Sequence, residues 1–227
     1  MSASPTTFGL LGMLAVRSYT GYELTQQLRR SLRFVWSSSE GHLYREQRRL
    51  VDQGWARRTK EVVGGRTRTR YEITDEGEHA LADWLATEPR APQFDIEGML
   101  RLFHGSLGSN EQLITSLEAT ARDATAMLDE LAGFAASYLE PGGPLELLEQ
   151  GRGGPGDRVT WEGRELYPER LPVIAMVIDG STRLLETLAA FASESAEHVR
   201  SWGAADSADP VGTRARLEAA AGRAHRP

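Results

Sequence analysis

Residues 34–55 read FVWSSSEGHLYREQRRLVDQGW, and residues 62–71, which follow a short strand, read VVGGRTRTRY. An amphipathic helix is followed by a Gly-Gly hairpin that carries arginine at alternate positions. This order is typical of a winged helix-turn-helix, in which one helix enters the DNA major groove and a basic hairpin contacts the flanking phosphates. The stretch predicts a mainly α fold with a small two-stranded β wing.

The positive charge of the chain is concentrated in the same region. Residues 29–70 hold 12 Lys and Arg against 4 Asp and Glu, whereas the whole chain has a net charge of −6 and a pI near 5.5. Every basic residue except Lys60 is arginine, which pairs well with phosphate oxygens and guanine edges. We therefore expect a local basic face on an acidic protein.

Several classes of function lack the residues they need. The chain has no cysteine, which excludes disulfides, thiolate nucleophiles and Cys-based zinc sites. Its five histidines have no metal-ligand spacing, and neither a Gly-x-Ser-x-Gly elbow nor a GxxxxGK[ST] phosphate loop occurs. No apolar run reaches about 18 residues, and no signal-peptide pattern is present. We expect a cytoplasmic protein that is not an enzyme and uses no cofactor, metal or membrane.

Capping residues divide the first 88 residues into four helices and a hairpin. Helices are expected to start at four places: Thr7, Thr20 with Glu23 in a capping box, one of Ser37, Ser38 and Ser39, and Thr74. Gly54 ends the third helix, residues 55–63 form a strand, and Gly64-Gly65 turn the chain back.

The return strand of the hairpin alternates with a period of two. One face is predicted to pack on the helices and the other to meet solvent or phosphate. The first carries Thr67, Thr69, Tyr71 and Ile73, and the second carries Arg66, Arg68, Arg70 and Glu72.

The remainder of the chain is predicted to be a separate helical domain. Pro89 and Pro92 mark the boundary between residues 1–88 and residues 93–202. Residues 141–167 are rich in Gly and Pro and are expected to form a loop, and residues 203–227 a flexible tail. In the last long helix, residues 174–202 repeat at strict 4-3 spacing, the pattern of a helix–helix seam. The residues predicted to dimerise are Ile174, Ile178, Leu185, Leu188, Val199 and Trp202.

Several motifs resemble the PadR family of bacterial transcriptional regulators. They are Trp36-x-x-Ser39-x-Gly41-x-Leu43-Tyr44 with Leu50 and Gly54, Gly21-Tyr22-Glu23-Leu24, and Tyr71-x-Ile73-Thr74-x-x-Gly77. Tyr44-Arg45-Glu46 departs from the commoner Tyr-Pro and is similar to the virulence-activator (AphA-like) branch. Gln47 stands where the family usually has an apolar core residue, and Trp55 where it has leucine.

The resemblance implies a winged helix-turn-helix joined to a C-terminal helical dimerisation domain. It also implies a homodimeric regulator, expected to be a repressor, that binds double-stranded DNA at an inverted-repeat operator. Many members of the family respond to a small aromatic or drug-like effector near the dimer interface. Trp161, Tyr167 and Trp202 are the candidates for such a pocket, although aromatic residues at helical interfaces more often pack.

His42 and Arg45 lie one turn into the third helix and are the candidates for base contact. The full set predicted to meet DNA is Tyr22, Ser38, Ser39, His42, Tyr44, Arg45, Arg48, Arg49, Lys60, Arg66, Arg68 and Arg70. Tyr22 and Tyr44 have an alternative role in core packing. The net charge of −6 and Gln47 leave a second hypothesis open, a winged-helix protein–protein interaction module that does not bind DNA.

Overall fold

The computed structural model describes residues 3–63, 66–152, 159–161, 164–202 and 209–223. The chain forms two compact units, Met1–Gln93 and Phe94–Pro227. The first unit contains helices α1 (Pro5–Val16), α2 (Gly21–Leu32), α3 (Glu40–Asp52) and α4 (Asp75–Leu85), with strands β1 (Tyr19–Thr20), β2 (Ala56–Val63) and β3 (Arg66–Ile73).

Side-chain caps define where the helices of the first unit begin. Thr20 and Thr74 cap α2 and α4 as predicted, and Ser39 is the one of the three candidate serines that caps α3. The first helix begins earlier than expected, because Ser4 is its N-cap and Thr7 completes the capping box from inside the helix. Pro5 at the first helical position favours this start, since proline there gives up no intrahelical hydrogen bond.

The sheet of the first unit has three strands rather than the two expected. β3 pairs with β2 in antiparallel register from Ala56↔Ile73 to Val63↔Arg66, and on its other edge it pairs with β1. A two-residue strand carries no periodicity, which is why β1 cannot be recognised in the sequence.

The core of the first unit lies between the three helices of the helix-turn-helix and the base of the sheet. Phe8 stacks on Trp84 at 4.9 Å and lies 5.5 Å from Trp55, so the aromatic side chains close the core on the α4 side. The buried core residues are Leu10, Leu11, Met13, Leu14, Tyr19, Leu24, Leu28, Leu43, Leu50, Ala56 and Tyr71.

The second unit is an antiparallel helix pair with short additions. Its elements are α5 (Glu97–Phe103), α6 (Asn110–Tyr138), α7 (Pro144–Glu149), β4 (Val159–Trp161), β5 (Arg164–Leu166), α8 (Leu171–Arg200) and α9 (Pro210–Arg223). Leu113 and Leu117, near the start of α6, pack against Ala196 and Val199, near the end of α8.

Two stretches of the second unit contain more regular structure than their composition suggests. Within the loop predicted for residues 141–167 lie α7 and the paired strands β4 and β5. Within the tail predicted for residues 203–227 lies α9, whose first turn is capped by Asp209 through a 2.8 Å hydrogen bond from Gly212 N. The Ala- and Arg-rich composition of α9 favours a helix even with little apolar surface.

Candidate nucleic-acid interface

The outward face of α3 is short, polar and positively charged. Gly41, Arg45 and Arg48 are exposed, and they follow one another at spacings of four and three residues on one side of the helix. To one side of this row, His42 and Arg49 are half-buried. This face (residues 41, 45 and 48) leaves the helix backbone accessible at Gly41 and offers two guanidinium groups beside it, as a major-groove helix requires.

The opposite face of α3 is held by a buried amide. Gln47 is 1% exposed, and its Nε2 donates to the carbonyl oxygen of Gly21 at 3.0 Å and to Thr25 Oγ1 at 2.8 Å. Thr25 Oγ1 in turn donates to the same carbonyl oxygen at 3.0 Å. The amide thus ties α3 to the first turn of α2, at the position where an apolar residue is usual in the family that this stretch resembles.

A second buried polar contact ties α3 to α1. Glu46 is 6% exposed, and its carboxylate accepts hydrogen bonds from Ser4 Oγ at 3.1 Å and from the hydroxyl of Thr7. The N-terminus of α1 supplies a favourable environment for this negative charge. Because Glu46 and Gln47 point to two different helices, they fix the rotation of α3 about its axis and so decide which residues face outward. Sequence reasoning missed Glu46, since a glutamate in a charged helix gives no signal of burial.

Two further contacts hold the turn that leads into α3. Trp36 Nε1 donates to Thr6 Oγ1 at 3.0 Å, and Arg29 lies 3.5 Å from Glu40 across the turn between α2 and α3. Trp36 is therefore a structural anchor, although 42% of it is exposed.

The residues predicted to contact DNA near the starts of α2 and α3 differ in their exposure and hydrogen bonds. Tyr22 is 66% exposed, which favours a surface role over core packing, whereas Tyr44 is half-buried. Ser39 Oγ accepts from His42 N at 3.3 Å as the helix cap. Ser38 Oγ is buried and has no hydrogen-bond partner.

The β2–β3 wing presents its charges on both faces. Cross-strand partners share a face, so Arg58 and Lys60 lie on the same side as their partners Tyr71 and Thr69. Only the base of that side is covered. Tyr71 is buried, while Thr67 and Thr69, which were expected to pack on the helices, are exposed because the strands extend beyond the helical core.

The arginine face of the wing is partly neutralised by its own neighbours. Arg70 donates from Nε and Nη2 to the two carboxylate oxygens of Glu61, both at 3.0 Å, and from Nη1 to the backbone oxygen of Ser18 at 3.2 Å. The hydrogen bond between Arg70 and Glu61 lowers the pKa of the carboxyl and raises that of the guanidinium. On the same face, Arg57 pairs with Glu72 at 2.8 Å.

These contacts separate the predicted wing residues into two groups. Lys60 and Arg68 are exposed, whereas Arg70 braces the junction of β1, β2 and β3. Arg70 was predicted to be offered to solvent or phosphate, whereas within the chain Glu61 and Ser18 already accept hydrogen bonds from its guanidinium. The side chain of Arg66 and the Gly64-Gly65 turn lie outside the described part of the structure.

The residues predicted to dimerise lie mostly on the side of α8 that packs inside the unit. Leu185 and Val199 are buried, Ile174, Ile178, Leu188 and Trp202 are half-buried, and α6 is the main neighbour of α8. Within one chain, the 4-3 repeat of α8 therefore packs against the apolar side of α6.

The three aromatic residues predicted to form an effector pocket are not brought together within one chain. Tyr167 precedes α8 and donates from its hydroxyl to Glu165 at 3.1 Å, and Trp202 follows the other end of the same helix. A 30-residue helix is roughly 45 Å long, so one chain's pocket cannot contain both. The side chain of Trp161 is outside the described residues.

The described ranges lack both a metal-binding cluster and a membrane-spanning helix. They contain no group of three or more His, Cys, Asp or Glu side chains that could hold a metal ion. Among the described helices, none is both long and apolar enough to cross a membrane.

Comparison with known proteins connects the first unit to transcriptional regulators. Residues 10–83 match the transcriptional regulator PadR-like family. The negative transcriptional regulator PadR of Bacillus subtilis is 24% identical over 140 residues, which cover 61% of this chain and 77% of that protein.

Solved structures share the fold over most of the chain. The structure of smu.1604c from Streptococcus mutans covers 83% of this chain and 96% of its own, with a TM-score of 0.65 at 17% identity. Bacillus subtilis PadR in complex with operator DNA covers 85% and 98%, with a TM-score of 0.61 at 18% identity. The same regulator in complex with p-coumaric acid covers 88% and 100%, with a TM-score of 0.56 at 18% identity. At these identities the likeness shows the fold alone.

Proposed function

We propose that this chain is a PadR-like transcriptional regulator that binds operator DNA as a homodimer and acts as a repressor. The observation that carries the proposal is the presentation of α3. Its outward face offers Arg45 and Arg48 beside Gly41, while Glu46 and Gln47 hold the inner face on α1 and α2. The match of residues 10–83 to the PadR-like family and the likeness to a negative regulator support it.

The exposure of the individual residues supports the roles that we assign to them. Arg45 and Arg48, with the half-buried His42, are positioned for base edges in the major groove, where a bidentate arginine contributes about 1–3 kcal/mol of discrimination at guanine. The exposed Tyr22, Lys60 and Arg68 are positioned for phosphates. A dimer would hold two such helices about 34 Å apart and would recognise an inverted repeat.

We also propose a branch of the family, an effector and a cellular location. Placement in the virulence-activator (AphA-like) branch depends on Tyr44-Arg45-Glu46. A small aromatic effector is suggested by the p-coumaric acid complex of the Bacillus subtilis regulator, and any pocket needs residues other than the pair Tyr167 and Trp202 of one chain. Action on operator DNA would place the protein in the cytoplasm.

DNA selection followed by titration tests the proposal. Fragments retained by the protein from a genomic DNA pool would be sequenced for a shared inverted repeat and then titrated by fluorescence anisotropy. Changing Arg45 and Arg48 together to Ala should abolish the preference for the selected site, because the base-reading groups are lost. Arg122→Ala, an exposed arginine of α6, is the control for the loss of one positive charge.

Two results would contradict the proposal. Retained sequence preference in the double variant would show that α3 does not read the bases. Failure to retain any duplex, by a folded protein, would favour the protein–protein interaction module instead.

A further inference from the structure

Helix α9 is attached to the second unit at its first turn and is exposed beyond that turn. Asp209 caps the helix by accepting a 2.8 Å hydrogen bond from Gly212 N, and its carboxylate lies 3.5 Å from His198 Nε2 of α8. Residues 213–222 are exposed along their whole length. A 14-residue helix with exposed sides is marginal in water, so contact with a partner would stabilise it.

The charge of α9 is opposite to that of the rest of its unit. Residues 210–227 hold 4 Arg and 1 Glu, whereas residues 94–209 hold 8 Arg and 20 Asp and Glu. Within α9, Arg214 and Arg216 are exposed, and Glu218 lies 3.9 Å from Arg214. The helix therefore presents positive charge on an otherwise acidic unit, which suits a negatively charged partner.

The large apolar side chains of α9 do not share a face on which another helix could pack. Val211 and Leu217 are 79% and 66% exposed. They are six positions apart in the sequence, which places them roughly 120° apart around a helix of 3.6 residues per turn. A helix that packs on a protein surface repeats its apolar residues every three or four positions. An electrostatic contact therefore accounts for α9 better than burial of an apolar face.

We propose that α9 binds phosphates of the DNA duplex to which the protein is bound, as a second contact that does not depend on the base sequence. This inference rests on the proposed DNA-binding function and adds a binding element from the second unit. Duplex DNA carries one negative charge per about 1.7 Å of its axis, and each phosphate that an arginine neutralises releases condensed counterions. Arginine is well suited to this contact, because its planar guanidinium matches the geometry of phosphate oxygens.

The acidic surface of the second unit is the alternative partner of α9. Within one chain α9 does not fold back on that surface, since Arg214 and Arg216 stay exposed. DNA is favoured for a second reason: once α3 holds a duplex, a contact made by α9 of the same chain is intramolecular, which raises its effective concentration. A positive helix would also offset part of the repulsion between the phosphates and the acidic residues of its own unit.

A salt titration of DNA binding by the full chain tests this inference. Replacement of Arg214 and Arg216 together by Gln should reduce the slope of log affinity against log salt by about 1.8, the effect of two phosphate contacts. The fall in affinity between about 50 and 200 mM salt should then be about tenfold smaller than for the natural chain. The change should be equal for the selected operator and for an unrelated duplex, because phosphate contacts carry no sequence information.

Two further variants separate the charge of α9 from the net charge of the chain. Replacement of Arg101 and Arg122 together by Gln removes two exposed positive charges from α5 and α6 and should leave the slope unchanged. Glu218→Gln removes the negative charge beside Arg214 and should raise the affinity for both duplexes at low salt by up to about threefold. Circular dichroism shows whether each variant keeps its helices.

The outcomes separate this inference from the proposed function. If the natural chain prefers an operator and the variant at Arg214 and Arg216 keeps its slope, α9 does not bind DNA and the proposed function stands. If the variant loses slope but the natural chain prefers no sequence, α9 binds DNA and sequence-specific regulation is overturned. A variant that binds DNA more tightly, or whose mass in light scattering is lower than that of the natural chain, would assign α9 to the acidic surface of a second copy and overturn the inference.

Discussion

Gln47 of α3 donates a 2.8 Å hydrogen bond to Thr25 of α2 in a place where both side chains are excluded from water. The contact sets the angle at which the two helices of the helix-turn-helix meet. One polar atom of the Gln47 amide remains unpaired, because Oε1 is buried without a hydrogen-bond partner. Because one polar atom is already unpaired, the change in unfolding free energy depends on which of the two side chains is replaced.

We expect Thr25→Val to be costly and Gln47→Leu to be tolerated. Valine at position 25 leaves an N–H of the Gln47 amide unpaired, which costs about 1–3 kcal/mol of unfolding free energy. Leucine at position 47 removes both the amide and its unpaired oxygen, while Thr25 Oγ1 still donates to Gly21. Urea unfolding of the two single variants and the double variant measures both effects.

The double variant provides the control. In the Gln47→Leu background, Thr25→Val should cost much less than it does alone, with a coupling energy of about 0.5–3 kcal/mol. Additive effects would show that the hydrogen bond contributes little to the stability of the first unit.

Gly77 and Gly12 should respond in opposite directions to alanine. A Cβ at Gly77 would collide with the carbonyl oxygen of Trp55 and lie 2.9 Å from Ile73 Cγ1. Because a backbone atom cannot move away cheaply, Gly77→Ala should lower the unfolding free energy by about 1–3 kcal/mol. At Gly12, in α1, a Cβ would meet nothing within 4 Å, so Gly12→Ala should raise stability by up to about 1 kcal/mol through helix propensity. Thermal unfolding of the two variants tests the pair, and a Gly77→Ala protein as stable as Gly12→Ala would contradict it.

Replacement of Arg68 and replacement of Arg70 should change the salt dependence of operator binding by different amounts. Arg68 is exposed, and its loss should reduce the slope of log affinity against log salt by about 0.9, the effect of one phosphate contact. Arg70 is held by Glu61 and Ser18, so Arg70→Ala should loosen the wing and change the slope less. Fluorescence anisotropy at salt concentrations between about 50 and 200 mM gives the slopes of both variants. Equal slopes for the two variants would mean that Arg70 leaves Glu61 when DNA binds.

Glu23 should make stability depend on pH in the acid range. The pKa of Glu23 lies below its ordinary value of 4.5, mainly because its carboxylate accepts a 2.8 Å hydrogen bond from the Thr20 backbone N–H. A depressed folded-state pKa contributes stability that is present above pH 4.5 and is lost as the pH falls through the folded value. The advantage of the natural chain over Glu23→Gln in urea unfolding should therefore shrink below about pH 4.5. Glutamine keeps an oxygen that can accept the hydrogen bond of the cap. If the natural chain stays more stable than Glu23→Gln at low pH, the difference comes from the geometry of the hydrogen bond and not from the charge of the carboxylate.

Local patterns in the sequence were sufficient for the secondary structure of the first unit. The caps at Thr20 and Thr74 were predicted because capping depends on residues three positions apart, and for α3 the sequence left three serines open, of which Ser39 is the cap. Leu43 and Leu50 are buried on the same face of α3, as residues two helical turns apart must be. The strand β1 and the early start of α1 were missed, since β1 is short and both Ser4 and Thr7 are good capping residues.

The sequence by itself determined that a basic helix and a basic hairpin follow each other, and that the last long helix has a seam of apolar residues. Periodicity and charge are properties of neighbouring residues, so they can be read along the chain. The tertiary structure alone decided that Glu46 and Gln47 turn inward, that Arg70 is bound by Glu61, and that α6 occupies the seam of α8. Each of these depends on a partner at least 9 positions away along the chain, and a side chain carries no local sign of which distant partner it will meet.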